Sequence, residues 1–133
     1  YLAKIFPLDK LSAAGDSFTL YGEGYGARIQ KGGGNYKKDG VGFILFDVLI
    51  GEWFLRRPYI EDIADKLGVL VVPILGIGTL YEAVLQVEHG ITSAFGPFQA
   101  EGLVLRPKVD LLTRSKHRLL GKLKTKDFWE KSA

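Results

Sequence analysis

Apolar and polar positions change their period several times along the chain, and each change marks an element. Residues 1 to about 14 hold Leu2, Ile5, Phe6, Leu8 and Leu11 at loosely helical spacing, interrupted by Pro7 and stopped near Gly15. This predicts one short helix or two half-turns. Ser17-Phe-Thr-Leu-Tyr21 then turns β-branched and aromatic and predicts a strand. A polar, glycine-rich turn is expected from Lys31 to Gly40. Val41-Gly-Phe-Ile-Leu-Phe-Asp-Val-Leu-Ile50 is apolar on both faces and reads as a central strand. Glu52-Trp-Phe-Leu55 reads as its return strand through a tight turn at Gly51.

Two helices are predicted next. Ile60, Ile63, Ala64 and Leu67 fall at i, i+3, i+4, i+7, with Gly68 as the stop. Leu80, Ala83, Val84 and Val87 repeat that spacing, and Thr79 with Glu82 forms a capping box at its start. Between them Val69 to Leu75 is expected to be a short buried strand. His89, just past the second apolar stripe, reads as a helix-end residue. The tail carries a strand over Gln99 to Pro107, a linker to His117, and a last strand over Leu119 to Thr125.

Chemistry enters where polar residues interrupt this pattern. Asp47 sits inside the most apolar strand, where a carboxylate costs several kcal/mol, roughly, unless it is paired or reaches an exposed end. Gly22-Glu-Gly-Tyr-Gly-Ala27 fits a variant of the dinucleotide fingerprint, but that motif must open a helix. Arg28-Ile-Gln-Lys-Gly-Gly-Gly34 offers none, so a Rossmann unit is excluded. Glycines around Glu23 either let backbone approach a ligand closely or bend a twisted hairpin. Glu101-Gly-Leu-Val-Leu-Arg-Pro-Lys108 places a carboxylate and cations at the two ends of one strand, although an ordinary half-buried strand also has this form. Lys122 and Lys124 are two apart on a strand, which puts both ammonium groups on one face. An anion held there would relieve their repulsion; the polar face of an edge strand is the alternative.

Composition narrows the class. The 133 residues suit one domain, and 47% hydrophobic with 25% charged residues is globular. No apolar run approaches the roughly 20 residues of a membrane span, so no membrane partner and a cytoplasmic location are expected. The absence of cysteine removes disulfides and thiolate chemistry, and with only His89 and His117 a multi-histidine metal site is not expected. Methionine is also absent, position 1 included, which predicts that the chain begins inside a longer protein. From Arg106 to Lys131 nine basic residues stand against three acidic ones, a net of +6, while the remainder is net −3. Such a basic pole suits nucleic-acid or polyphosphate partners.

The order of these signals is specific. The Tyr21-Gly-Glu-Gly-Tyr-Gly26 stretch, then Phe43-Ile-Leu-Phe-Asp-Val48, then Glu101-Gly-Leu-Val-Leu-Arg106, then Lys122-Leu-Lys124 resembles the later motifs of covalent nucleotidyltransferases, the ATP-dependent ligases and capping enzymes. Ile29-Gln30 and the glycine-flanked glutamate look most like the phage-type RNA ligase branch. The resemblance spans about residues 17 to 128. It implies an α+β fold with antiparallel sheets forming a nucleotide cleft (the ligase and capping-enzyme, ATP-grasp-like plan), two helices packed outside, and an incomplete N-terminus. The whole chain, 1–133, would be the C-terminal part of a nucleotidyltransferase domain.

The resemblance also implies roles. Phe46 would stack on adenine and Glu23 would face the ribose or a metal-bound water. Asp47 would be structural or lie close to the base. Glu101 would help hold Mg2+ or Mn2+ near the α-phosphate of ATP, and Lys122 and Lys124 would contact that phosphate as pyrophosphate leaves. The partner would be RNA with 5′-phosphate and 3′-hydroxyl ends, together with the missing N-terminal segment. The family nucleophile is a lysine in Lys-x-Asp/His-Gly preceding the glycine-flanked glutamate. Lys37-Lys-Asp-Gly40 spells that motif but follows Glu23, and Lys4 and Lys10 lack the partner residues. The chain is therefore expected not to form lysyl-AMP by itself. A non-catalytic nucleic-acid-binding module and a DNA-directed or capping-type relative are the alternatives.

Overall fold

The computed structural model describes residues 5, 6, 9, 17–26 and 40–129, in two compact units, Tyr1–Pro73 and Ile74–Ala133. The helix expected within residues 1–14, most of the Lys31–Gly40 turn, and Lys4, Lys10 and Lys37 lie outside the described residues.

In the first unit β1 (Thr19–Tyr25) pairs antiparallel with β2 (Gly42–Ile50). β2 turns back through Gly51, at φ 59°, into β3 (Trp53–Phe54), with Ile50 opposite Trp53. The glycine supplies the positive φ that a two-residue hairpin requires. α1 (Arg57–Leu67) follows, with Pro58 in its first turn. It buries Ile60, Ala64 and Leu67, the stripe the sequence predicts, and ends on Gly68 at φ 69°. The Arg57 guanidinium donates to the carbonyl of Val72 at 2.6 Å and pairs with Glu61, fixing the helix start against the chain that leaves the sheet.

The chain then pairs with β2 again as β4 (Leu70–Val71), in parallel. This departs from a wholly antiparallel sheet. α1 carries the chain back along β2, so the strand that follows it runs in β2's own direction. β4 is also shorter than the predicted 69–75 and is not the buried strand expected, since Leu70, Ile74 and Leu75 are exposed. Its pairing finishes where the Val72 N–H donates to the Leu45 carbonyl at 2.9 Å, and Pro73 beyond it has no N–H to give. Leu45, Val48, Ile60 and Ala64 form the core, with Phe18, Leu20, Phe43, Leu55, Ile63, Val69 and Val71 packed around them. Burying each large aliphatic side chain contributes about 1.5–3 kcal/mol.

In the second unit α2 (Leu80–His89) begins with the predicted capping box. The Thr79 hydroxyl accepts from the Glu82 N–H at 3.2 Å, and the Glu82 carboxylate accepts from the Thr79 N–H at 2.7 Å. His89 closes the helix, its Nδ1 2.7 Å from the Leu85 carbonyl oxygen. A small hairpin over residues 91–100 leads to β5 (Gly102–Leu105), which pairs antiparallel with β6 (Gly121–Lys124). Among the described residues a short helix, α3 (Lys126–Trp129), adds to the two longer ones the sequence predicts over this part of the chain. It is fixed from outside its own sequence: the Trp129 indole N–H donates to the Glu88 carbonyl at 2.9 Å. Among the described residues no helix is long and apolar enough to cross a membrane.

Candidate nucleotide site

Glu23 lies at mid-strand in β1, exposed and opposite Ile44 of β2. Gly22, Gly24 and Tyr25 stay paired with β2, so Glu23 does not cap a strand end, and the described part of the glycine stretch is extended strand through Tyr25. Nor do the two flanking glycines form a bend. A Cβ at Gly22 would strike the Phe43 ring and the Ile44 carbonyl oxygen; the space left by that missing side chain is filled by the protein's own aromatic ring.

The register between the two strands slips by one residue. Tyr21 pairs with Asp47 but Gly22 pairs with Leu45, leaving Phe46 as the extra residue of a β-bulge. By strand parity Phe46 and Asp47 both turn to the face away from the Leu45–Val48 core. Glu23 shares that face, because it pairs with Ile44 and Phe46 stands two residues further on. Tyr21 lies on the same face, its ring 5.8 Å from that of Phe54. Phe46 and Asp47 are half-buried there, and Asp47 has an interaction partner, which accounts for a carboxylate in an apolar strand. The first unit therefore offers one sheet face carrying aromatic rings beside the Glu23 carboxylate.

The second unit holds the other predicted site residues. Lys122 is opposite Val104 and Lys124 opposite Gly102, so the two ammonium groups share one exposed face of the β5–β6 ladder. Leu103 and Leu123 pair on the other face and are half-buried. Glu101 immediately precedes β5, its carbonyl accepting the Thr125 N–H at 2.9 Å, and its side chain is exposed. Buried Thr125 fixes this corner by donating its hydroxyl to the Ala100 carbonyl at 2.9 Å. Among the described residues no ion pair joins Glu101 to either lysine.

The structure thus places Glu23 with Phe46 on one unit, and Glu101 with Lys122 and Lys124 on the other. Among the described residues no three carboxylate or histidine side chains converge as a metal cage. By strand alternation Glu101 falls in step with Leu103 rather than with Lys122 and Lys124. A lone exposed carboxylate of this kind suits Mg2+ carried in on substrate phosphates, because that ion keeps several waters and uses one or two protein carboxylates.

Sequence periodicity missed two features. The bulge had a signal, since core residues Leu45 and Val48 are separated by an odd number of positions. Residues 111–119, most of them within the linker expected up to His117, form a basic-tipped hairpin; its signal was the pair Leu111-Leu112 and Leu119-Leu120 flanking a polar stretch.

The described residues form a mixed α+β chain, with a glycine-flanked glutamate on one ladder and paired lysines on another. A sequence profile of the RNA ligase family matches residues 2–124, and the chain belongs to that family. Searches of curated proteins and of solved structures returned no match.

Proposed function

We propose that the chain supplies the nucleotide-holding part of an ATP-dependent, phage-type RNA ligase built on the antiparallel nucleotidyltransferase plan of ligases and capping enzymes, working in the cytoplasm. The observation that carries this reading, beside family membership, is the bulge that turns Phe46 onto the Glu23 face. Phe46 stacks on adenine and Glu23 faces the ribose or a metal-bound water. Lys122 and Lys124 neutralise the α-phosphate while Glu101 helps hold the divalent ion, which contributes further charge neutralisation when bound.

In the complete reaction a lysine amine attacks the α-phosphate, forming a P–N bond as the bond to pyrophosphate breaks. AMP then passes to an RNA 5′-phosphate, and a 3′-hydroxyl displaces it to form the phosphodiester. Positioning and charge neutralisation are what such transfers chiefly require. Lys37 is not assigned as the nucleophile, because Lys37-Lys-Asp-Gly40 follows Glu23 rather than precedes it.

Calorimetric ATP titration tests the pocket. Saturable ATP binding weakened by both Phe46→Ala and Glu101→Ala supports it. RNA binding indifferent to both, with no ATP binding, would instead identify a non-catalytic nucleic-acid-binding module. GTP preference, or activity on nicked DNA, would identify a capping-type or DNA-directed relative. With labelled ATP and magnesium the chain is expected to stay unlabelled; strong labelling abolished by Lys37→Ala would make Lys37 the nucleophile.

A further inference from the structure

The β5–β6 connection is a second hairpin. The Leu119 N–H donates to the Leu111 carbonyl at 2.8 Å, Leu112 bridges Arg118, and the Thr113 N–H donates to the His117 carbonyl at 2.7 Å. At the tip the Lys116 N–H closes a turn on the Thr113 carbonyl at 2.9 Å, and the His117 N–H donates to the Thr113 hydroxyl at 3.1 Å. Arg118 pairs with Asp110 at 3.0 Å, so that charge is matched at the hairpin's base. Arg114 and Lys116 at the tip are exposed and join no ion pair among the described residues. No acidic residue occurs between Asp110 and Asp127.

Lys116 adopts φ 63°, the only non-glycine residue with positive φ among those described. This is the position after a turn where glycine or asparagine is the undemanding choice. The backbone gains nothing from a lysine there, whereas an ammonium group at the apex of a basic hairpin has an evident use.

We infer that the hairpin tip, through Arg114 and Lys116, is a docking point for the sugar–phosphate backbone of the RNA strand, away from the reacting end. The inference rests on the ligase reading for the identity of the nucleic acid. It does not depend on the adenine pocket. Lys122 stands six positions after Lys116, at most about 20 Å of extended chain. At roughly 3.4 Å per stacked nucleotide, the tip meets the strand within about six nucleotides of the end held near Lys122.

The experiment measures binding of 5′-phosphorylated single-stranded RNAs of 4 and 20 nucleotides to the 133-residue chain against salt concentration. Lys116→Gly removes the cation while supplying the residue the turn prefers, so its thermal midpoint should hold or rise. On the 20-mer the log–log salt slope should become shallower by about 0.7 for Lys116→Gly, and by about 1.4 with Arg114→Ala added. The 4-mer should be unaffected, and so should ATP binding. Lys66→Ala, which removes an exposed cation paired with Asp62 in the other unit, should leave the slope unchanged. Unchanged 20-mer slopes in both tip variants, or a wild-type chain with no salt-dependent RNA binding, overturn the inference. Failure to bind ATP with the slope changes intact overturns the nucleotide-pocket reading alone.

Discussion

Leu45 and Val48 enter the same core although three positions separate them on one strand. Strict alternation would send them to opposite faces. The extra residue at Phe46 resets the parity, so one irregularity both completes the core and turns Phe46 outward beside Glu23. Folding and the candidate nucleotide face are coupled at this point.

Deletion of Phe46 should therefore be tolerated by the core. Without it Leu45 and Val48 stand two positions apart on a regular β2, so both still face inward. Phe46→Ala keeps the bulge and the same core, and both variants should weaken ATP binding at similar denaturant midpoints. A deletion variant less stable than Phe46→Ala by about 1.5–3 kcal/mol, the cost of expelling one large aliphatic side chain, would refute the parity argument.

Gly22 should tolerate no side chain. The Cβ of Gly22→Ala meets a backbone oxygen as well as the Phe43 ring, and the oxygen cannot move without opening the β1–β2 ladder. Overpacking of this kind costs about 1–3 kcal/mol. A lower urea midpoint at constant m-value is expected. Adding Phe43→Leu should recover only part of it; full recovery would show that the ring alone sets the requirement.

What the sequence revealed here was local. Both long helices follow from apolar residues three and four apart, with Thr79, Glu82 and Gly68 marking ends, because these signals act within a few residues. The Gly51 turn is equally short-range. The bulge, the parallel β4 and α3 depend on distant partners: Gly22 against Leu45, Leu70 against Ile44, Trp129 against Glu88. The candidate site divides in the same way. That Lys122 and Lys124 share a face is pure period-2 geometry, whereas the common face of Glu23 and Phe46 needed the slipped register. Arg114 and Lys116 were legible as part of the basic pole, but not as a hairpin tip, because two-leucine arms around Thr113–His117 do not alternate as a strand pair normally does.

Acidification should weaken the start of α2. The Thr79 backbone N–H, and next its hydroxyl, hold the Glu82 carboxyl below its ordinary value of 4.5. A carboxylate favoured in the folded state stabilises above its unfolded pKa, and that contribution is lost as pH falls through the lowered folded value. Amide exchange in α2 should accelerate over that acid range. Thr79→Ala should return the Glu82 titration towards ordinary and flatten the dependence, as followed by carboxyl NMR shifts. An unchanged Glu82 titration in that variant would count against the capping box as the cause.

Gly102 couples the proposed phosphate-site residues to the second ladder. It stands between Glu101 and the rest of β5, opposite Lys124, and a Cβ there would overlap the Leu123 carbonyl oxygen. Gly102→Ala must therefore part β5 from β6 where Thr125 anchors the corner to Ala100 and Glu101. Lys124→Ala removes one charge and leaves that corner standing. Gly102→Ala should cost about 1–3 kcal/mol and should weaken ATP binding more than Lys124→Ala, because it displaces Glu101 and Lys124 together. Amide exchange across β5 and β6, measured beside ATP affinity, checks both parts. Native-like protection in Gly102→Ala, or an affinity loss no greater than that of Lys124→Ala, would show that the two residues need not be held by a common corner.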